Sequence, residues 1–268
     1  MRLTLLFAFL LLSLPATASA HYNMLLLSAP SVERGKEVTL TYQWGHPFEH
    51  ELFDAPMPDS FVMLAPDGKR TDLLKKLNKN TDKTGKKEVA IYTMPFKPEE
   101  PGDYVFVLHT PPIWMAAEGE FYEDTVKVVL HVQVQKGWDQ RSEPGFEFTP
   151  LTRPYGLVAG TVFQAQLARR TADSGPAPDV LAAMLTEIER YNAIPPKALP
   201  ADEFITRVVK SDNSGVVTCD LPEAGWWCLT ASRDAGTKMH DGKMVPLRER
   251  TTFWVHVAAK PTPEAARP

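Results

Sequence analysis

Between Thr125 and Gln135 the chain sets Val126, Val128, Leu130, Val132 and Val134 against Lys127, Val129, His131, Gln133 and Gln135. A period of two belongs to a pleated strand and to no helix, because successive side chains point to opposite faces of a sheet. Shorter runs repeat the pattern. Val38, Leu40 and Tyr42 share one side of Glu37 to Gln43, and Tyr104, Phe106 and Leu108 share one side of Tyr104 to His109. Glu88 to Met94, Thr161 to Leu167, Thr206 to Lys210, Val216 to Leu221, Trp226 to Ser232 and Thr251 to Val257 read as further strands. Turn chemistry separates them, as where Phe61 to Leu64 runs into Ala65-Pro66-Asp67-Gly68. Proline outnumbers glycine by 24 to 15, which favours short strands over long helices. Short strands at this spacing predict an all-β chain of two tandem β-sandwiches, the first immunoglobulin-like.

The predicted boundaries follow the punctuation. Residues 21–135 form the first sandwich. Residues 136–154, carrying Gly137, Pro144, Gly145, Pro150 and Pro154, form a linker. Residues 155–260 form the second sandwich, and 261–268 are a disordered tail. Asp72 to Lys87 is polar enough to be a solvated loop or short helix. Val180 to Asn192 fits a strand or a short helix, and Asp173-Ser174-Gly175-Pro176 a turn.

Composition excludes several partners. The 29 Lys and Arg face 33 Asp and Glu, for a net charge of −4, so no basic excess exists to neutralise nucleic acid. Two cysteines exclude a disulfide scaffold and a Cys-rich zinc module. If Leu221 and Trp226 pair across Pro222-Glu223-Ala224-Gly225, Cys219 falls opposite Cys228, which predicts a disulfide.

The first twenty residues read as an export signal. Arg2 is the positive start, Leu3 to Leu14 the apolar stretch and Ala18-Ser19-Ala20 the cleavage site. The apolar stretch is short of the roughly 20 residues that span a bilayer. The expectation is a periplasmic protein. Cleavage after Ala20 makes His21 the first residue, and its free amine and imidazole can chelate one metal ion. His46 and His50 add H-x₃-H spacing in Gly45-His46-Pro47-Phe48-Glu49-His50. On one helical turn they share a face, with Glu49 as a reserve carboxylate. The candidate metal ligands are therefore His21, His46 and His50, for Ni, Co or Cu, with His109 and Glu49 in reserve. His131, His240 and His256 read as strand or turn histidines. No nucleophile elbow, phosphate loop or paired carboxylates appear, so an enzyme is not expected.

Several segments carry a resemblance. Gly45 to Glu49, Lys127 to Trp138, Pro150 to Leu157, Ala224 to Trp227, Asp241 to Lys243 and Phe253 to Val257 resemble periplasmic components of nickel/cobalt uptake systems of the energy-coupling-factor type. The resemblance implies a transthyretin- or carboxypeptidase-regulatory-like second sandwich, a nickel or cobalt ligand and a membrane transporter as partner. The expected function is capture of a divalent metal for uptake. The alternative is a metal-free tandem β-sandwich interaction module at the cell surface.

Overall fold

The computed structural model describes residues 21–261 except Lys86, 143–144 and 172–177. The export signal, the 173–176 turn and residues 262–268 of the tail lie outside the described residues. The chain is an all-β sandwich fold in three layers. Among the described residues a five-stranded sheet, an eleven-stranded sheet and a four-stranded sheet are present.

The large sheet is the middle layer. Its strands run in the order Arg207–Lys210, Leu185–Arg190, Gly225–His240, Lys243–Ala258, Glu120–Val132, Gly102–His109, Ser60–Leu64 and Arg70–Asp72, with shorter strands at its margins. The junction between the two halves of the chain is the pairing of Glu120–Val132 with Lys243–Ala258. The two lie parallel, with Phe121 opposite Leu247 and Val128 opposite Trp254. Strands from both sides of the 136–154 segment thus meet in one sheet, and that segment itself contains the strand Gly145–Pro150.

Alternation divides the middle sheet between two cores. Phe61, Met63, Phe106, Leu108, Val126, Val128, Leu130 and Trp254 enter the core shared with the five-stranded sheet. Val62, Leu64, Val105, Val107, Val129, Phe253 and Val255 enter the core shared with Phe146, Phe148 and Phe163 of the four-stranded sheet. The strand that leads the sequence reading is therefore buried on both sides. Even Lys127 is only 3% exposed. Its ammonium donates to a Glu147 carboxylate oxygen at 2.5 Å and to the Phe148 carbonyl at 3.1 Å, the pairing a buried charge requires.

One local expectation changes and another is resolved. The polar stretch after Asp72 holds a short 3₁₀ turn, Leu74–Lys76, and then the strand Asn78–Asp82, which pairs with Val89–Phe96. As an edge strand it needs no apolar face, and its polar side chains discourage pairing with another chain. The 180–192 stretch resolves as the strand Leu185–Arg190.

The predicted disulfide is incorrect. Val216–Leu221 does not pair with Gly225–His240. It joins the four-stranded sheet, with Cys219 opposite Phe163, while Cys228 sits in the middle sheet between Glu189 and Trp254. The Pro222-Glu223-Ala224 segment crosses between layers instead of closing a hairpin. Cys219 then faces one core and Cys228 the other, and both are free buried thiols. Burial pushes the Cys219 thiol up to about 12 and the Cys228 thiol well above its ordinary range. Thiol titration is expected to find both cysteines in the denatured, unreduced protein, and neither reacting quickly in the folded one.

Candidate metal centre at the start of the first strand

Strand register builds the candidate site. Tyr22–Leu27 runs antiparallel to Val38–His46, and the register that sets Tyr22 opposite Gly45 carries His21 opposite His46. On the other side of Val38–His46, Trp44 faces Phe53 and His46 faces Glu51. One face of this three-stranded patch therefore carries His21, His46 and Glu51 in one row, with Asn23, Trp44 and Phe53 in the next. Directly opposed side chains lie within about 5.5 Å at Cβ.

The rings meet as that register demands. The His21 and His46 imidazole centroids are 4.7 Å apart. Trp44 stacks on His21 at 4.9 Å and 25°, and Phe53 lies 4.8 Å from His21 and 5.8 Å from His46. Two imidazoles thus sit together against an aromatic wall. Gly45, next to His46 in the same strand, lies hard against the backbone of Glu51–Phe53. It has φ +148°, and a Cβ there would sit 2.1 Å from the Glu51 carbonyl oxygen, so only glycine fits.

Buried groups anchor the backbone of residue 21. The free edge of Tyr22–Leu27 faces Lys243–Ala258, and side chains of that strand replace the missing ladder partner. Arg250 donates to the His21 carbonyl at 2.5 Å, and the Trp254 indole N–H donates to the Asn23 carbonyl at 3.0 Å. Arg250 is itself held bidentate by Asp124 at 2.7 and 3.1 Å and lies 4.2 Å from the Tyr122 ring. Asp124 is buried. Arg250→Ala would leave its carboxylate uncompensated, and a loss of about 3–5 kcal/mol of stability is expected in chemical denaturation.

His50 lies elsewhere. Residues 47–50 close a hairpin and do not form a helical turn, so H-x₃-H spacing does not put His46 and His50 on one face. His50 takes φ 51° and turns inward. Its Nε2 lies 2.6 Å from the Thr84 hydroxyl and its ring packs edge-on to Tyr191 at 5.8 Å. Burial lowers its pKa, with Asp82 and a hydrogen bond to the Asn192 backbone acting against the shift. Glu49 is half-buried in the same turn. His109 belongs to a separate cluster, with Nδ1 2.7 Å from Asp59 and Nε2 3.3 Å from Glu123. Among the described residues no three His, Cys, Asp or Glu side chains converge as a metal cluster.

The 47–50 turn is pinned by a second buried acid. Glu189 accepts from the Phe48 amide at 3.1 Å and from the Thr206 hydroxyl at 2.7 Å, while Asn192 donates to the Pro47 and Phe48 carbonyls. Burial pushes the Glu189 carboxyl up to about 7 against those two hydrogen bonds, and Glu49 and Glu187 add to the rise. A carboxyl raised in the folded state contributes stability that is complete below the ordinary carboxylate range and is lost as pH rises through 7. The loss is about 3 kcal/mol. Glu189→Gln is expected to remove this decline between pH 5 and 8, as read from denaturation midpoints across that range.

Trp44, Phe53, Asp124 and Arg250 were not among the candidates read from sequence. Trp44 stands two residues before His46, so the strand period alone could have placed it on the same face. The other three require the register between strands.

The family model for a domain of unknown function, DUF4198, matches residues 18–235. The chain belongs to the DUF4198 family. No curated protein matches the sequence. Among solved structures, a DUF4785 family protein from Legionella pneumophila aligns at 10% identity and TM-score 0.29, over 80% of this chain and 53% of that one. Salmonella alpha-2-macroglobulin aligns at 13% identity and TM-score 0.27, over 89% of this chain and 15% of that one. The human OSCAR ligand-binding domain aligns at 12% identity and TM-score 0.21, over 88% and 97%. The chain thus spans about half of the Legionella protein and a small part of the macroglobulin. Likenesses this loose carry no argument about function. No helix among the described residues is long and apolar enough to cross a membrane.

Proposed function

We propose that this DUF4198 protein is an exported metal-binding protein that captures a divalent transition metal ion at the first residue of its mature chain. The observation that carries this reading is the pairing of His21 with His46, 4.7 Å apart at the ring centroids. Export cleavage after Ala20 would free the α-amine of residue 21 as a donor beside them. The α-amine of His21 and its own imidazole close one chelate ring, and His46 supplies a third nitrogen. The resemblance to periplasmic components of nickel/cobalt uptake systems supports Ni²⁺ or Co²⁺ as the ion and a membrane transporter as the recipient. His50, turned toward Thr84 and Tyr191, then shapes the hairpin that carries His46 and is not a ligand.

All three donors must be deprotonated, so metal binding releases protons and affinity rises with pH across the range of an ordinary α-amine, about 7.7–8.0. Titration calorimetry with Ni²⁺ and Co²⁺ on protein beginning at His21 is expected to show one site per chain. Retaining Ala20 turns the amine into an amide and removes a donor, and His46→Ala removes another. Each is expected to weaken binding well beyond tenfold, more than the loss of an outer hydrogen bond to a ligand would. Binding unaffected by retained Ala20 would exclude the amine. No binding in any form would favour the metal-free interaction module.

A further inference from the structure

We propose that the first sandwich carries a second binding site, at the end remote from His46, and that it takes a single-chain lipid with an anionic head. The proposal goes beyond metal capture and does not rest on it. A cavity of about 640 Å³ opens there between the five-stranded and middle sheets, within the range of about 300–1,000 Å³ usual for small-molecule sites. Phe96 marks its place. It lines the cavity and stands opposite Val38, at the start of the strand that ends in His46. Eight residue steps at about 3.3 Å each put the two sites roughly 26 Å apart.

The floor dictates an apolar tail. Met63 and Tyr104 from the middle sheet, Met94 from the five-stranded sheet and Leu73 from the connection between the sheets are core residues, no more than 8% exposed. The Tyr104 hydroxyl is already satisfied by Glu100, accepting from its amide at 3.0 Å and donating to its carbonyl at 2.8 Å. None of the buried polar atoms left without a partner among the described residues belongs to this lining. A polar group pushed against the floor would lose its water and find no unpaired partner, whereas an alkyl chain loses nothing. The two unbranched Met side chains can shift to make room for it.

The rim dictates a negative head. Lys69, Lys76, Lys97 and Lys136 stand around the opening, all exposed, and none takes part in an ion pair among the described residues. They come from four separate stretches of chain, so the fold gathers them and no basic run does. Asp67, Glu99 and Glu100 share the lining, so four positive charges face three negative in a chain whose net charge is −4. Asp67 turns its carboxylate back on its own turn, accepting the Lys69 amide at 2.9 Å. Arg34 adds a further cation from a shallower hollow that shares Lys97 and Glu99 with the cavity. Lysine ammoniums act as point charges with no preference for a planar anion, so carboxylate and phosphate heads both fit.

The test is titration calorimetry on protein beginning at His21 with dodecanoate, dodecyl phosphate and dodecanol, each below the concentration at which it aggregates. One anion per chain is expected to bind, with dodecanol about tenfold weaker, and the tighter anion names the head. Decanoate should bind about 16-fold more weakly than dodecanoate, since each buried methylene contributes about fourfold. Thr71→Trp, opposite Met63 on the edge strand Arg70–Asp72, fills the cavity and is expected to abolish binding. Lys76→Glu combined with Lys97→Glu should weaken both anions about tenfold and leave dodecanol unchanged. These lysines are exposed, so the pair decides alone if Thr71→Trp fails to fold. The proposal is overturned if no amphiphile binds, if dodecanol binds as tightly as the anions, if chain length has no effect, or if the lysine pair or a folded Thr71→Trp changes nothing. Ni²⁺ titration of the same variants should match the unaltered protein, so failure here leaves the metal-capture reading standing.

Discussion

The whole molecule depends on one shared sheet. Glu120–Val132 and Lys243–Ala258 come from opposite halves of the chain and lie parallel at its middle, so each core uses alternate residues of the same strands. A sheet buried on both faces cannot show the apolar-in, polar-out pattern of a solvated one, and its polar residues must be satisfied internally. The Lys127–Glu147 pair and the contact of His131 Nδ1 with Asp103 at 2.7 Å are that requirement met. The first strand, Tyr22–Leu27, is buried along its whole length because it packs against this sheet.

The strand content was legible because a period of two is a local property, visible wherever Val, Leu, Tyr and Phe alternate. Which strands pair is not local. Cys219 and Cys228 looked opposed only if the eight residues of chain between them folded back as a hairpin, and the choice of Val216–Leu221 to pair with Thr161–Arg170 depends on the second core. Asn78–Asp82 escaped notice for a different reason. An edge strand with both sides exposed has no hydrophobic alternation to read.

The candidate site was legible in part. His21 and His46 could be named from a cleavage pattern and a histidine pair, yet the reason advanced for His46, a helical turn shared with His50, is not the one that applies. A hairpin closes at residues 47–50, so cross-strand register sets His46 beside His21 and sends His50 inward. The anchors Arg250 and Asp124 lie more than a hundred residues from His21 and could not be reached from any motif.

That long reach bears on when the site can exist. Residue 21 is synthesised well before residue 250, yet the carbonyl of His21 is held by Arg250 and that of Asn23 by Trp254. A nascent chain can carry both histidines before it has the strand that fixes them. The His21–His46 pair is therefore fixed in place only once Lys243–Ala258 has docked against Tyr22–Leu27.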